Sequence, residues 1–435
     1  MPLPPGRMSG GSVATAHRER TPWRVTVMVV ASALLLSLPF RATVGWRGGI
    51  LALLTLMLVI SHVWQHGLRA DWRVFFPHDR WLRFAGCAWL LLAAGWALAG
   101  PSPAGSLPGV RSDVLAPVLA FCAFHAITRD RHDLMRWAMV LFAAQLVITL
   151  LALRDPFQPN NLLHRPAYID VGVLSAWLVI VASLLPVMWL VPRPVRRWAR
   201  PLALFMAATI VVAAFCSGNR VIWTCLAVMV LTGFVMLYRR RRYSTRGRHR
   251  WLLLGGSIAA LAILGWSSVQ LRGPSIEPRS LGSAAYMLQD PRNVLWEEAV
   301  RMIGEKPLSG YGFDLPRWHA EFAARTAAAT APSSFDHAHN ALLNYALQMG
   351  ITGAVLVAAL FAALLAAFLR QPRELPIERL AATCGVVLVT GFFLRNLTDD
   401  FFMRQSLLLF AAVAGMLAGA GRRSAVGPVR PIGSN

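Results

Sequence analysis

The chain has 435 residues, 56% of them hydrophobic and 14% charged, where an ordinary soluble domain carries about 25% charged residues. That composition excludes a soluble globular protein. A formal charge of +23 would suggest nucleic acid in a soluble chain, but here the cations sit in connections between apolar stretches.

Residues 1–22, rich in Pro, Gly and Arg, read as a disordered tail. Apolar stretches follow at 23–40, 47–65, 82–100, 112–128, 134–153, 171–191, 201–217, 219–238, 251–269, 341–369, 380–396 and 405–420. Stretches of about 18 to 22 residues are long enough for a helix to cross roughly 30 Å of hydrocarbon, the shorter ones with ends that shift by a few residues, and only a helix satisfies its own backbone there. The expected fold is an all-α polytopic membrane protein of about twelve transmembrane helices. The stretch 23–40 reads as a first span, not a cleavable signal, since no small-residue cleavage site precedes the next span. Cys87, Cys122, Cys216, Cys225 and Cys384 all lie inside these stretches, with no Cys-x-x-Cys spacing, and read as buried small apolar side chains.

Arginines cluster in alternate connections: Arg69 and Arg73; Arg129 and Arg131; Arg193, Arg196 and Arg197; Arg239 to Arg242; Arg370 and Arg373; Arg422 and Arg423. This positive-inside pattern places the tails 1–22 and 421–435 in the cytoplasm. The run 239–250 reads as a topogenic segment that meets lipid phosphates, and no nucleic-acid partner is expected.

On the opposite face, the loop 101–111 is turn-rich and offers little chemistry. The loop 154–170 contains Arg165, either an interfacial anchor or a ligand-facing cation. Spans seven and eight meet in a tight hairpin, Ser217-Gly218-Asn219-Arg220. Arg220 there either snorkels or faces a phosphate near the bilayer surface, with Gly218 and Asn219 offering open backbone N–H groups. The segment 270–340 is too long for a connector. Helices are expected over 292–304 and 316–329, so the segment reads as a helical cap between spans nine and ten.

After the cap comes Asp336-His337-Ala338-His339-Asn340. A helix of about 337–349 is expected before the tenth span, closed by Gly350. The two histidines read as catalytic or substrate-contacting, because a neutral imidazole takes a proton from a hydroxyl near neutral pH. Metal binding is disfavoured, since no third ligand stands at a recognisable spacing. The same face carries Arg165, Arg220, Arg272, Arg279, Arg292, Lys306, Arg317 and Arg325, a cationic site for an anion with a lipid tail. Arg395 is expected to pair with Asp399 or Asp400.

Three signatures resemble the O-antigen ligase and O-antigen polymerase superfamily of bacterial envelope glycosyltransferases. They are Ser217-Gly218-Asn219-Arg220; Arg292-x-x-Leu295-Trp296 followed by Pro307-Leu308-x-Gly310-x-Gly312; and His339-Asn340, nine residues, then Gly350-x-x-Gly353. The motifs cover about 220–353, and Asn219 stands where the family often has a small residue. The resemblance implies a GT-C-like fold and a metal-independent, inverting transfer with no cofactor. The implied donor is a glycan on undecaprenyl pyrophosphate, and the implied acceptor of a ligase is lipid A–core oligosaccharide, at the periplasmic face of the inner membrane. It also implies that His339 is the essential histidine. His337 or Asp336 then orients it or binds acceptor, and Arg220, Arg292, Lys306 and Arg165, with Asn340, bind the pyrophosphate end of the donor. Membrane lipids are expected partners, and the expected state is a monomer or weak oligomer.

The alternatives are an O-antigen polymerase, whose acceptor is a second lipid-linked repeat, and a protein O-oligosaccharyltransferase, mildly disfavoured by the short tail after 420. A lipid-linked glycan flippase would show ionisable residues in mid-span and two related halves, and the sequence has few of the former and no inverted repeat.

Overall fold

A helix that is apolar around its whole circumference must be covered on every side. The segments 376–396 and 404–420 have that character, and they form the centre of the structure. The computed structural model describes residues 22–40, 43–67, 71–154, 171–189, 193–238, 247–270, 291–313, 316–330, 335–371 and 375–421. The described residues are helices joined by turns, without strands.

In chain order the helices are α1 (Pro22–Ser37), α2 (Val44–His66), α3 (Arg80–Ala99), α4 (Pro103–Gly109), α5 (Ala116–Ile127), α6 (Arg131–Arg154), α7 (Val171–Ala182), α8 (Leu185–Trp189), α9 (Arg193–Ser217), α10 (Arg220–Tyr238) and α11 (Gly247–Gln270). Then follow α12 (Pro291–Glu305), α13 (Pro316–Thr330), α14 (Ala341–Met349), α15 (Ile351–Arg370), α16 (Pro376–Asn396) and α17 (Arg404–Ala420). Eight helical segments among the described residues are long and apolar enough to cross a membrane, and four shorter apolar ones lie at 23–37, 172–188, 254–267 and 404–420. This is the build of a multi-pass membrane protein.

One stretch differs from expectation. In the loop 101–111 the chain is helical from Pro103: Ser102 caps α4 through its hydroxyl, Pro103 fits the first turn, and a π-helical turn, Val110–Leu115, carries the chain into α5. The apolar stretch 341–369 divides where the sequence places a helix stop, at Gly350 with φ +69°, into two helices.

The two ends of the bundle are fixed by α3 and α15. At one end Arg370 pairs with Asp79 at 3.0 Å. At the other the Trp96 indole donates to the Ser309 carbonyl at 3.1 Å. Small residues let the central helices approach closely. Gly415 and Gly419 of α17 lie against the backbone of Phe121 and His125 on α5. Gly391 of α16 lies against Met229 of α10, and Gly233 of α10 against Val387. That pairing is antiparallel, so the start of α10, with Arg220, sits at the same end as the loop 397–403 that joins α16 to α17.

Helices α12 and α13 form a small unit with its own core, in which Leu295, Met302, Trp318 and Phe322 are fully buried with Ala338 and Leu347. Its rim is held by Arg325, which pairs with Glu305 and Glu321 at 2.6 Å each and with Glu298 at 3.5 Å. Arg325 lowers Glu305 to about 2. Arg325 is therefore a strut between the two helices, which corrects its reading as part of an anion site.

Candidate active site

Two motifs that are separate in sequence form one interlock. Gly310 and Gly350 have φ of +63° and +69°, and each faces the other's segment so closely that a Cβ would sit 2.5 Å from backbone atoms of Gln348 or Pro307. Tyr311 N–H donates to Leu347 O at 2.7 Å, Gly312 N–H to Gln348 O at 3.1 Å and Ile351 N–H to Pro307 O at 2.8 Å. The glycines of Pro307–Gly312 and of Gly350 thus strap the cap to the break between α14 and α15. Lys306 stands on this strap, exposed, with Nζ 4.1 Å from the centre of the Tyr311 ring.

The histidines precede α14 and are not part of it, a correction to the expected start near 337. The helix begins at Ala341, and Asn340 is its N-cap, with Oδ1 accepting from Leu342 and Leu343 N–H at 3.0 and 3.3 Å. His339 enters the turn at φ +49°, a left-handed conformation uncommon outside glycine that histidine adopts more readily than most residues. Asn340 Nδ2 also donates to Leu397 O at 3.1 Å, tying the histidine loop to the α16–α17 loop.

The α16–α17 loop supplies Asp399. His339 Nδ1 lies 2.9 Å from Asp399 Oδ1, and His337 Nε2 lies 3.7 Å from the same oxygen. The other face of His337 is engaged as well, with Nδ1 2.8 Å from Asp336 Oδ1. The two rings are 4.0 Å apart. Arg395 holds Asp399 Oδ2 at 3.3 Å and donates from Nε to Ser175 at 2.7 Å, so the expected pairing of Arg395 is with Asp399.

Electrostatics sort these groups. Burial would lower His337, but its hydrogen bonds to Asp336 and Asp399 prevail and raise it to about 10. Asp336 is lowered to about 2, first by the His337 hydrogen bond. Burial pushes Asp399 up, yet the two histidines and Arg395 hold it well below the usual carboxylate range. Asp400 beside it moves the other way, raised by burial. His337 is thus a cation between two anions. His339 has one nitrogen on Asp399, and its Nε2 is buried without a hydrogen-bond partner among the described residues.

The cap reaches this site through α12. Trp296 donates its indole N–H to Ala338 O at 2.9 Å, the carbonyl between the two histidines. Arg292 lies one helical turn before Trp296, on the same face, and close enough to Arg395 for the two charges to repel. Arg220 is exposed at the site end of α10. The hairpin before it differs from expectation. Gly218 N–H donates to Phe215 O at 3.1 Å and Asn219 N–H to Ser217 Oγ at 3.2 Å. Neither N–H is open, and Asn219 Oδ1 caps Val221 at 3.1 Å. Arg165 lies outside the described residues, as do Arg272 and Arg279.

The metal reading also changes. His337, His339 and Asp399 bring three donor atoms within 4.8 Å of one another, so a third ligand type is present after all. Local spacing did not reveal it because Asp399 is 60 residues from His339. The Asp399 carboxylate is already shared by two imidazoles and the Arg395 guanidinium, which compete with any added cation. We read the cluster as a hydrogen-bonded acid–base unit.

The apolar helices, the small α12–α13 unit and this cluster of two histidines with Asp336 and Asp399 together describe a polytopic membrane protein with a charged, hydrogen-bonded cluster at one end of its bundle. Residues 205–358 match the family model described as O-antigen ligase. The match takes in Arg220, Arg292, Lys306, both histidines and both glycine motifs, and it supports assignment of the chain to the O-antigen ligase family. No curated protein matches the chain.

Proposed function

We propose that the chain is an O-antigen ligase. It moves a glycan from undecaprenyl pyrophosphate to a sugar of lipid A–core oligosaccharide at the periplasmic face of the inner membrane. The observation that carries this reading is the pair His339–Asp399, with Nδ1 held at 2.9 Å and Nε2 buried and unpartnered among the described residues. A carboxylate on Nδ1 favours the tautomer whose lone pair is on Nε2, the arrangement of a general base.

In the proposed step the acceptor hydroxyl oxygen attacks the anomeric carbon as its proton passes to His339 Nε2. The bond from that carbon to the pyrophosphate oxygen breaks, and its electron pair leaves with the pyrophosphate. Attack opposite the leaving group inverts the anomeric centre. Charge grows on the diphosphate, and Arg220 and Arg292 stabilise it through charge-assisted hydrogen bonds, with Lys306 and Arg165 as further contacts. His337, held between Asp336 and Asp399, serves as a fixed cation and leaves the base role to His339. The broken linkage supplies the driving force, so the step needs no nucleotide, and the arginines take the charge-stabilising place that a divalent metal would otherwise fill.

The test is a lipopolysaccharide gel of a strain lacking this chain. The expected pattern is bare core with lipid-linked polymer accumulating, restored to capped product by the wild-type chain but not by His339→Ala or Arg220→Ala at equal membrane abundance. Core carrying a single repeat would instead identify a polymerase. Full capping by both variants would overturn the residue assignment.

A further inference from the structure

Neither loop that carries the acid–base pair has regular secondary structure of its own, over 335–340 or 398–403. One side chain reaches both. Asn344, in the first turn of α14, is 1% exposed. Its Oδ1 accepts Ala338 N–H at 2.9 Å, the peptide between the two histidines. Its Nδ2 donates to Asp400 Oδ2 at 2.7 Å. Asp400 is 7% exposed, and its Oδ1 accepts Phe402 N–H at 3.2 Å. The backbone N–H of Asp400 then donates at 2.9 Å to Asp399 Oδ1, the same oxygen that meets His339.

These bonds form a closed path: His339, Ala338, Asn344, Asp400, Asp399 and back to His339. Trp296 and Asn340 also brace the loops, at the Ala338 carbonyl and at Leu397. Of these, Asn344 alone joins the histidine peptide to the acid beside Asp399. The position needs an acceptor on one side and a donor on the other, which only an amide of this length supplies. An apolar residue would leave a buried N–H and a buried carboxyl unpaired.

Resting on the reading of His339 as the base, we propose that Asn344 is a positioning residue that sets the distance between His339 and Asp399. It touches no reacting atom and acts through Ala338 and Asp400. A second consequence follows from the chemistry of the amide. Exchanging the two side chains, Asn344→Asp with Asp400→Asn, preserves every bond on the path. The carboxylate at 344 would accept from Ala338 N–H and from the new amide at 400, whose oxygen would accept from Phe402 N–H. The charge stays within the cluster, near His337 and Asp399.

The experiment uses the full chain in proteoliposomes with lipid-linked glycan and lipid A–core. Asn344→Ala is expected to lower kcat about 100-fold, the scale of a displacement near 1 Å, with KM for either substrate within about twofold. Asn344→Asp alone sets two carboxyl groups against each other, near Asp399 and His337. They can share one proton, so its activity is expected to survive at acid pH and fall at alkaline pH. The exchanged double variant is expected to recover most of kcat and the wild-type pH profile. Unchanged kcat in Asn344→Ala, or a double variant no better than its single parents, would overturn the proposal. Carbethoxylation of His339, read by mass spectrometry, separates this from the functional reading. It is expected to rise several-fold in Asn344→Ala and to return to the wild-type level in the double variant. If wild-type protein transfers no glycan but the labelling follows this pattern, the functional reading fails and the clamp stands. If the labelling is flat, the clamp fails whatever the transfer shows.

Discussion

At the scale of residues, the site is a division of labour between two imidazoles of the same loop. His337 has a carboxylate at each nitrogen, Asp336 at 2.8 Å and Asp399 at 3.7 Å. Among the described residues His339 has one, at 2.9 Å, and its Nε2 is buried without a hydrogen-bond partner. Asp399→Asn would remove the acceptor that fixes the His339 tautomer. Its transfer rate is expected to fall about 100-fold or more while the protein stays in the membrane; a rate within twofold of wild type, measured with purified components, would count against the pair. The charge on His337 has a pH signature. Its pKa is about 10 in the folded protein, against about 6.5 for a free imidazole. The stabilisation from its ion pairs is therefore complete below about 6.5 and is lost as pH rises through about 10. Asp399 is depressed, so its share is present above about 3.9 and is lost only as pH falls below that. Transfer is accordingly expected to persist through neutral pH and to decline towards pH 10. Asp336→Asn, which removes one of the two carboxylates, is expected to bring that decline to lower pH. An unmoved alkaline limb would contradict the cationic role.

At the scale of elements, the glycine motifs do mechanical work. Gly310 and Gly350 each occupy the left-handed region, and each faces backbone of the other's segment at 2.5 Å from where a Cβ would stand. Gly310→Ala and Gly350→Ala are each expected to cost more than about 1 kcal/mol, seen as a lower unfolding midpoint in detergent. An unshifted midpoint for both would mean that the strap does not carry load. These motifs were visible as letters but not as contacts, since Tyr311 meets Leu347 only once the chain has folded back through α13. Helix positions were far more legible. The stretches 292–304 and 316–329 appear as α12 and α13 because apolar periodicity is local, and because Pro291 and Pro316 mark their starts. Helix α14 starts four residues beyond the expected 337 because Asn340 is the better cap, and His339 takes a left-handed turn that no local pattern announces. The helix at 103–109 is hidden in the sequence because its Pro and Gly content resembles a turn, whereas Ser102 caps it and Pro103 fits its first position.

At the scale of the whole molecule, one end of the bundle gathers residues far apart in sequence: the α9–α10 hairpin, the cap, the histidine loop and the α16–α17 loop. The antiparallel packing of α10 on α16, through Gly233 and Gly391, brings Arg220 to that end. Arg220, Arg292, His337 and His339 could each be singled out from chemistry and motif order. Asp399 was legible only as a partner of Arg395, because its role depends on a contact across 60 residues. The metal question also belongs to this scale, since the three candidate donors come from two loops. In the proposed reading an acid–base unit and arginines meet the leaving diphosphate, so treatment with a chelator is expected to leave transfer unchanged. A loss restored by zinc or manganese would instead recast the cluster as a metal centre.

The most direct measurement is transfer by purified protein in proteoliposomes, given undecaprenyl-pyrophosphate-linked glycan and lipid A–core, without ATP and with chelator present. Glycan joined to core by the wild-type chain, and lost in His339→Ala that retains its fold, is the expected result. Undiminished transfer by His339→Ala, or none by folded wild-type protein with both substrates supplied, would contradict it.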